Sequence, residues 1–504
     1  MTAHEDQLNQ QSLLRRVMVG FVGGVVAGLA GLALSVVVGR AYGAEGAGIF
    51  FTVVAYVMVL ANIFELGADT GLVWFLPRLR ARLRSGDQRR AVVVALVPVI
   101  IVSSIAGLVT FGLAPILGPL LSDGGDELVT AGLQWAGIGV VSGSIASVAI
   151  AATRGAGGLA IYVALQNVVL PLGRVLGVLA MALAGFGVLA AIAIWNVVWA
   201  VVAVIALLAV ARIFRSVDPG DPTTDATPAS WRSLSGEFWR FTMPRALSAT
   251  VEVGLVWADV LIVAALLGPT EAGIYAIVSR FITAGTLGNQ AVRIALSPRF
   301  AQLFARHDLP AVGRLLQAAT PVMLALTWPL FLLTALLPAD VLLIFGPEFV
   351  PGASLLVVLS GAMLIAATWG PVGGALLMSG RSTLQLVNRC VSLAVLVAVD
   401  LYLIPKMGLM GAAIGWAISL VIDTTLDGLA LLVLDGVRPW DESTLLALAL
   451  VTLAGAAGPL IARAASWSGL MALIGAGLVT TLATAGLFAS TRTPMSLRRF
   501  LAET

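Results

Sequence analysis

The sequence predicts an all-α polytopic membrane protein with about fourteen transmembrane helices, arranged as two six-helix lobes plus two C-terminal helices. Three observations predict it. Hydrophobic residues make up 59% and charged residues 11% of the chain, leaving too little polar material to cover a soluble globule. Apolar runs of about 20 residues recur along the chain, as a hydrocarbon core about 30 Å thick requires. Third, the stretch YGAEGAGIFFTVV at 42–54 returns as LGPTEAGIYAIVS at 267–279, with five of thirteen positions identical. Scarcer residues support the repeat at an offset of 221: Pro77 and Arg78 meet Pro298 and Arg299, Asp87 meets Asp308, Asn167 meets Asn388, and Trp195 meets Trp416.

Taken in order, residues 1–16 are polar, end in Arg15 and Arg16, and form a cytoplasmic or interfacial N-terminus. The run that follows is too long for a signal peptide and lacks a small-residue cleavage site. Apolar segments then fall near 17–39, 47–76, 91–121, 128–152, 159–184 and 186–211, giving an N-terminal lobe over 17–211. Residues 212–240 are polar, contain Asp218-Pro-Gly-Asp-Pro222, and read as a cytoplasmic linker. A second set near 241–266, 272–296, 318–337, 354–378, 383–404 and 409–434 makes the C-terminal lobe, 241–434. Two further helices lie within 435–490, and 491–504 is a cytoplasmic tail.

With the N-terminus inside, the inner loops carry 21 Arg and the outer loops only Arg40, Lys406 and Arg463. That bias predicts both termini on the cytoplasmic side of the membrane. Because each copy holds an even number of helices, both share one orientation, and a pseudo-two-fold axis runs along the membrane normal. The loops predicted outside are short, the longest being 338–353, which disfavours a membrane glycosyltransferase or polymerase. A P-loop is absent from the sequence, and with two histidines neither a Ser/His/Asp set nor a histidine metal cluster is available. No enzyme activity, cofactor, metal or nucleic-acid partner is expected.

Charges inside apolar helices are the informative residues. Arg174, Arg245, Arg280 and Arg389 each cost at least about 2.5–3.5 kcal/mol on insertion scales, so they should face a wet cavity or a partner. Guanidinium groups suit phosphate oxygens, which makes the four, with Asn167 and Asn388, candidate substrate contacts. Glu65 and Asp69, Glu252 and Asp259, and Asp423 with Asp427 are candidate ion-coupling or structural acids. Arg245, Glu252 and Asp259 recur every seven residues on one helix face. Three GxxxG spacings, Gly24/Gly28, Gly139/Gly143 and Gly411/Gly415, are expected to be helix packing contacts. Phe300, Leu303 and Phe304 have the spacing of an interfacial helix.

The runs GRAYGAEGAGIF, FELGADTGLVWFLPRLRA, ADVLIVAALLGPTEAGIYAIV, LSPRFAQLFARHDLPAVGRLL and KMGLMGAAIGWAISL resemble the multidrug/oligosaccharidyl-lipid/polysaccharide exporter superfamily, in its polysaccharide-flippase-like branch. The resemblance covers roughly 12–434. It implies two lobes around a central cavity that opens alternately to either side, passing a polyprenyl-pyrophosphate-linked saccharide across the plasma membrane. Glu65 and Asp259 match acidic positions of the family pattern. The final two helices match fourteen-helix variants, although the cavity arginines that the peptidoglycan-precursor flippase carries in its first helices are not evident. Implied partners are the bilayer, the lipid-linked saccharide, and polysaccharide polymerase and glycosyltransferases. The alternative is a multidrug or cation antiporter of the same fold, with the acids binding proton, sodium ion or cationic drug.

Overall fold

The computed structural model describes the backbone of residues 3–82, 86–122, 126–215 and 230–489; the tail 491–504 and residues 216–229 of the expected linker lie outside the described residues. Every regular element among them is helical. Twelve of the described helices are long and apolar enough to cross a membrane. One of the twelve, 22–64, takes in most of the expected span 17–39 and the first part of 47–76, and the expected span 272–296 is not among them, so length and hydropathy count fewer than fourteen. The protein is a multi-pass membrane protein.

The first helix, α1 (Ala3–Phe64), is divided at Gly43, whose φ of 66° and ψ of −170° are not helical. Its counterpart in the repeat, Gly268, takes φ 88° and ψ 179° after α8 (Trp231–Leu267). The same glycine turns the chain in both copies because a side chain would strain this conformation. Between these come α2 (Ala68–Ala81), α3 (Gly86–Leu120), α4 (Glu127–Gly155), α5 (Leu159–Val163), α6 (Leu170–Leu183) and α7 (Val188–Arg215). Helix α8 begins inside the stretch expected to be linker. It does so because Leu234 and Phe238 are buried, with Phe238 edge-on to Phe75 of α2.

Contacts divide the chain into two compact units, Met1–Gly273 and Ile274–Thr504. In the first, α4 is the centre, packing on α1, α2, α3 and α7. Small residues make that possible: a side chain at Gly137 would strike the backbone oxygen of Gly107, and one at Gly143 would meet Ala61. The expected GxxxG contacts hold for Gly139 and Gly143, and for Gly411 and Gly415, but not for Gly24, which has nothing near it.

The second unit contains α9 (Pro269–Gly285) from Ile274 onward, α10 (Leu287–Ala305), α11 (Leu309–Leu336), α12 (Pro338–Leu342) and α13 (Ala353–Ala367). It continues with α14 (Val372–Met378), α15 (Ser382–Met407), α16 (Leu409–Asp435), α17 (Glu442–Ala464) and α18 (Gly469–Ala489). Its core joins Leu296, Phe300 and Leu303 of α10 to Leu315, Leu316 and Met323 of α11 and Leu431 of α16. Phe300 and Leu303 are thus buried against protein, and the interfacial-helix expectation for them is corrected: their apolar stripe meets α11 before it can meet lipid. The long loop 338–353, expected outside, is packed against protein as well, with Phe345 and Phe349 fully buried.

Three expected spans are discontinuous. Residues 47–76 break at 65–67, where Leu66 (φ 54°) and Gly67 (φ 68°) are left-handed. Span 272–296 breaks at Thr286, and span 354–378 at 368–371, where Gly370 has φ 69°. Glu65 and Thr286 are separated by the repeat offset of 221, so both copies interrupt the same helix at the same place.

Candidate functional site

The break at Glu65–Gly67 opens the wall of a cavity of about 430 Å³ inside the first unit. Gly67 lets α8 approach closely; a Cβ there would lie 2.9 Å from the backbone nitrogen of Ala246. On the cavity wall, Asn62 and Glu65 come from the end of α1, Asp69 and Thr70 from the start of α2, and Ser147 and Arg154 from α4. Tyr162 and Gln166 come from α5 and the π-helical stretch Ala164–Val169 that follows it, and Trp199 from α7. A π turn inside a helix is a recurrent feature of functional sites, since it displaces side chains from the regular register. A polar hollow amid apolar spans is costly unless occupied or wetted.

Glu65 is 6% exposed, and Asn62 Nδ2 donates to its Oε1 at 2.8 Å. The neighbouring hydroxyl of Thr70 donates to Asp69 Oδ2 at 3.2 Å. Arg154 places its guanidinium 5.1 Å from the ring centre of Tyr162. Behind Trp199 lies Arg174, 4.2 and 4.3 Å from the ring centres of Trp195 and Trp199. Its Nε and Nη2 are buried without a hydrogen-bond partner in the protein, and no carboxylate pairs with it among the described residues. Two indole faces hold this cation in place of an anion.

The other expected site residues are dispersed. Asn167 sits on the π-helical stretch with its amide nitrogen beside Gly23 of α1. Arg245 is exposed on α8 and attracts Asp69 electrostatically. Glu252 is exposed, whereas Asp259 on the same helix is buried, its Oδ1 accepting from the backbone nitrogen of Val260. Of the acids and arginines expected in the first unit, Glu65 and Asp69 line the cavity, and Arg174, Arg245, Glu252 and Asp259 do not.

In the second unit, Arg280 is half-buried on α9 and engaged within the protein. A polar seam joins α15 to α16: Asn388 Nδ2 donates to Asp427 Oδ1 at 2.8 Å, and Gln385 Nε2 donates to the Gly373 carbonyl at 2.8 Å. Arg389 attracts Asp427, and the Ser392 hydroxyl lies 3.4 Å from Asp423 Oδ1. Asn388 is therefore committed to a carboxylate.

Sequence reasoning missed Asn62, Tyr162, Gln166 and Trp199 as members of one site. The dipeptide Leu66-Gly67, followed by an acid inside an apolar run, was the available signal for the break.

A family model described as polysaccharide biosynthesis protein matches residues 13–304, more than half of the chain. The chain belongs to this polysaccharide biosynthesis family. A curated relative, the probable low-salt glycan biosynthesis flippase Agl15 of Haloferax volcanii, is 24% identical over 172 residues, 34% of this chain and 36% of that protein. The match thus spans about a third of the relative's length. Among solved structures, the lipid II flippase MurJ in an inward closed conformation shares the fold with a TM-score of 0.69 at 11% identity, covering 94% of this chain and 99% of that one. An inward-facing multidrug resistance MATE family transporter gives a TM-score of 0.60 at 16% identity, covering 84% and 94%. At such identities the likeness establishes the fold that this polysaccharide biosynthesis family member shares with both.

Proposed function

We propose that this member of the polysaccharide biosynthesis family is a flippase. It carries a polyprenyl-pyrophosphate-linked oligosaccharide or polysaccharide precursor from the inner to the outer leaflet of a bacterial plasma membrane, with both termini cytoplasmic. The observation that carries the reading is the polar cavity at the Glu65–Gly67 break, enclosed by apolar spans in a chain of this family. A hydrophilic headgroup needs such a wet recess to cross oil, while its lipid tail stays in the bilayer.

In this reading the chain makes and breaks no covalent bond. It alternates between two access states, which substrate biases only by its differential affinity for them. Arg174 is proposed as a diphosphate contact, since its donors have no partner within the protein. Arg245, Arg280, Arg389, Asn167 and Asn388 are proposed as further polar contacts along the path, with Glu252, Asp259 and Asp423 as structural or ion-coupling acids. Polysaccharide polymerase and glycosyltransferases are proposed partners, as they supply and consume such a substrate. The multidrug or cation antiporter reading draws on fold alone, and the family match favours the saccharide.

The test is expression in a strain lacking a known lipid-linked oligosaccharide flippase. Restored surface glycan is expected. Continued accumulation of lipid-linked saccharide at the inner leaflet, with the protein correctly inserted, would overturn the proposal.

A further inference from the structure

A second hollow of the first unit, about 620 Å³, lies between α3, α4 and α7 and shares no lining residue with the polar cavity at the Glu65–Gly67 break. Small residues make its floor. A side chain on Gly107 of α3 would strike the backbone oxygen of Gly137 of α4, so these helices touch there, and Ala200 of α7 adds only a methyl group. Phe111, Ile138 and Val204 stand exposed along its sides. A groove of this kind in the middle of three apolar spans penalises a polar occupant and admits a hydrocarbon chain.

Two helix stripes lead from the groove to one basic end of the unit. On α3, Phe111, Ser104, Val97 and Arg90 recur every seven residues, and on α7 Ala200, Val204, Leu208 and Arg215 follow at steps of four, four and seven. Val97 and Leu208, between the groove and the arginines, are exposed and apolar. Eleven residues separate Val204 from Arg215, about 17 Å at 1.5 Å per residue, which is close to half of a hydrocarbon core about 30 Å thick. The groove thus lies at the depth reached by the chain of a lipid whose headgroup is level with Arg215.

At that basic end α3, α7 and α8 converge, because Phe214 packs on the core that joins Ala91 and Val92 to Leu234 and Phe238. Arg89, Arg90, Arg212, Arg215 and Arg232 stand there. The acids among the described residues of these helix ends are Asp87 and Glu237, and Glu237 is already paired with Arg82 at 2.8 Å. The Arg90 guanidinium is held 3.8 Å from Asp87 and 5.5 Å from the ring centre of Trp231, which is itself exposed. Exposed tryptophan marks the headgroup level of a bilayer.

Occupants differ in how they meet a cationic rim with an apolar groove below it. Free phosphate has no chain for the groove, an acidic protein would leave the groove empty, and a zwitterionic lipid gains little from the excess of arginine. A lipid with net negative charge uses both parts.

We propose that this face binds one anionic phospholipid of the surrounding bilayer, its phosphate at the Arg90–Arg215 rim beside Trp231 and one acyl chain along the two stripes into the groove. The site is independent of the flippase reading, since it concerns lipid around the protein and not lipid carried by it.

The experiment is native mass spectrometry of the full chain in detergent micelles supplied with phosphatidylglycerol, phosphatidylcholine or a long-chain polyprenyl diphosphate. Phosphatidylglycerol should stay bound and phosphatidylcholine should not. Arg90→Gln and Arg215→Gln should each weaken phosphatidylglycerol retention about fivefold, whereas Arg306→Gln, which removes an exposed arginine of the second unit, should leave it unchanged. Ala200→Phe fills the groove without touching the rim and should weaken retention as well; Ser104→Leu does the same from α3. Thermal unfolding establishes that each variant is folded.

Four results overturn the inference: equal retention of phosphatidylcholine, an equal loss in Arg306→Gln, unchanged retention in both folded groove variants, or polyprenyl diphosphate held in preference to phosphatidylglycerol and lost in Arg215→Gln. The first two would mean unspecific attraction, the third a headgroup contact alone, and the fourth a station for the substrate.

Discussion

Gly48 and Gly273, equivalent positions of the repeated motif, face one another in the first unit: a side chain on Gly48 would strike the carbonyl oxygen of Pro269, and one on Gly273 would strike that of Ala44. Ala44 and Pro269 are themselves repeat equivalents, so the contact is reciprocal, as a local two-fold relation demands. Backbone meets backbone here because the motif supplies no side chain to separate the helices.

Gly48→Ala and Gly273→Ala should therefore each destabilise by about 1–3 kcal/mol, since backbone cannot yield as a side-chain tip can. The double variant should lose less than the sum, because both substitutions force apart one contact. Thermal unfolding in detergent checks both statements.

Arg174 should tolerate neither loss of charge nor loss of planarity. Arg174→Lys keeps the charge and forfeits stacking on Trp195 and Trp199, at about 0.5–2 kcal/mol. Arg174→Ala should abolish surface glycan in the complementation strain while the protein still inserts. Normal glycan from Arg174→Ala would remove it from the proposed substrate path.

Asn388→Ala should cost about 1.5–3 kcal/mol, because it takes from Asp427 the nearer of its two amide donors, at 2.8 Å against 3.4 Å for Gln385. Unfolding of the purified protein reports this. By contrast, Arg82→Ala, which breaks a 2.8 Å pair with Glu237 whose arginine is 57% exposed, should change stability by less than about 1 kcal/mol.

Orientation is open to a direct check. Cys390 is the one cysteine, so Cys390→Ser gives a background without thiols. A cysteine placed at Ser233 should then react only from the cytoplasm, and one at Ser466 only from outside. The reverse pattern would invert the proposed topology.

Much of the architecture was legible along the chain. Span 409–434 is observed as Leu409–Asp435 and span 383–404 as Ser382–Met407. The turn glycines of the repeat, Gly43 and Gly268, both take positive φ. The candidate site was half legible: Glu65 and Asp69 stood out as acids in an apolar run, whereas nothing near them in sequence pointed to Gln166 or Trp199. Charge alone also suggested that the arginines would gather, yet Arg245 is exposed while Arg174 lies against two indoles.

Hydropathy and glycine spacing act locally, each helix being driven into the bilayer by its own residues, so the sequence by itself determined membrane insertion, the duplicated unit and the position of nearly every span. Where a helix breaks depends instead on whether neighbours can cover the freed backbone, as α8 does at Gly67. Only the tertiary structure could decide that the break falls at Glu65, that four other helical segments close a polar cavity around it, and which cations meet an anion and which meet an aromatic face. Those outcomes follow from packing between residues far apart in the chain.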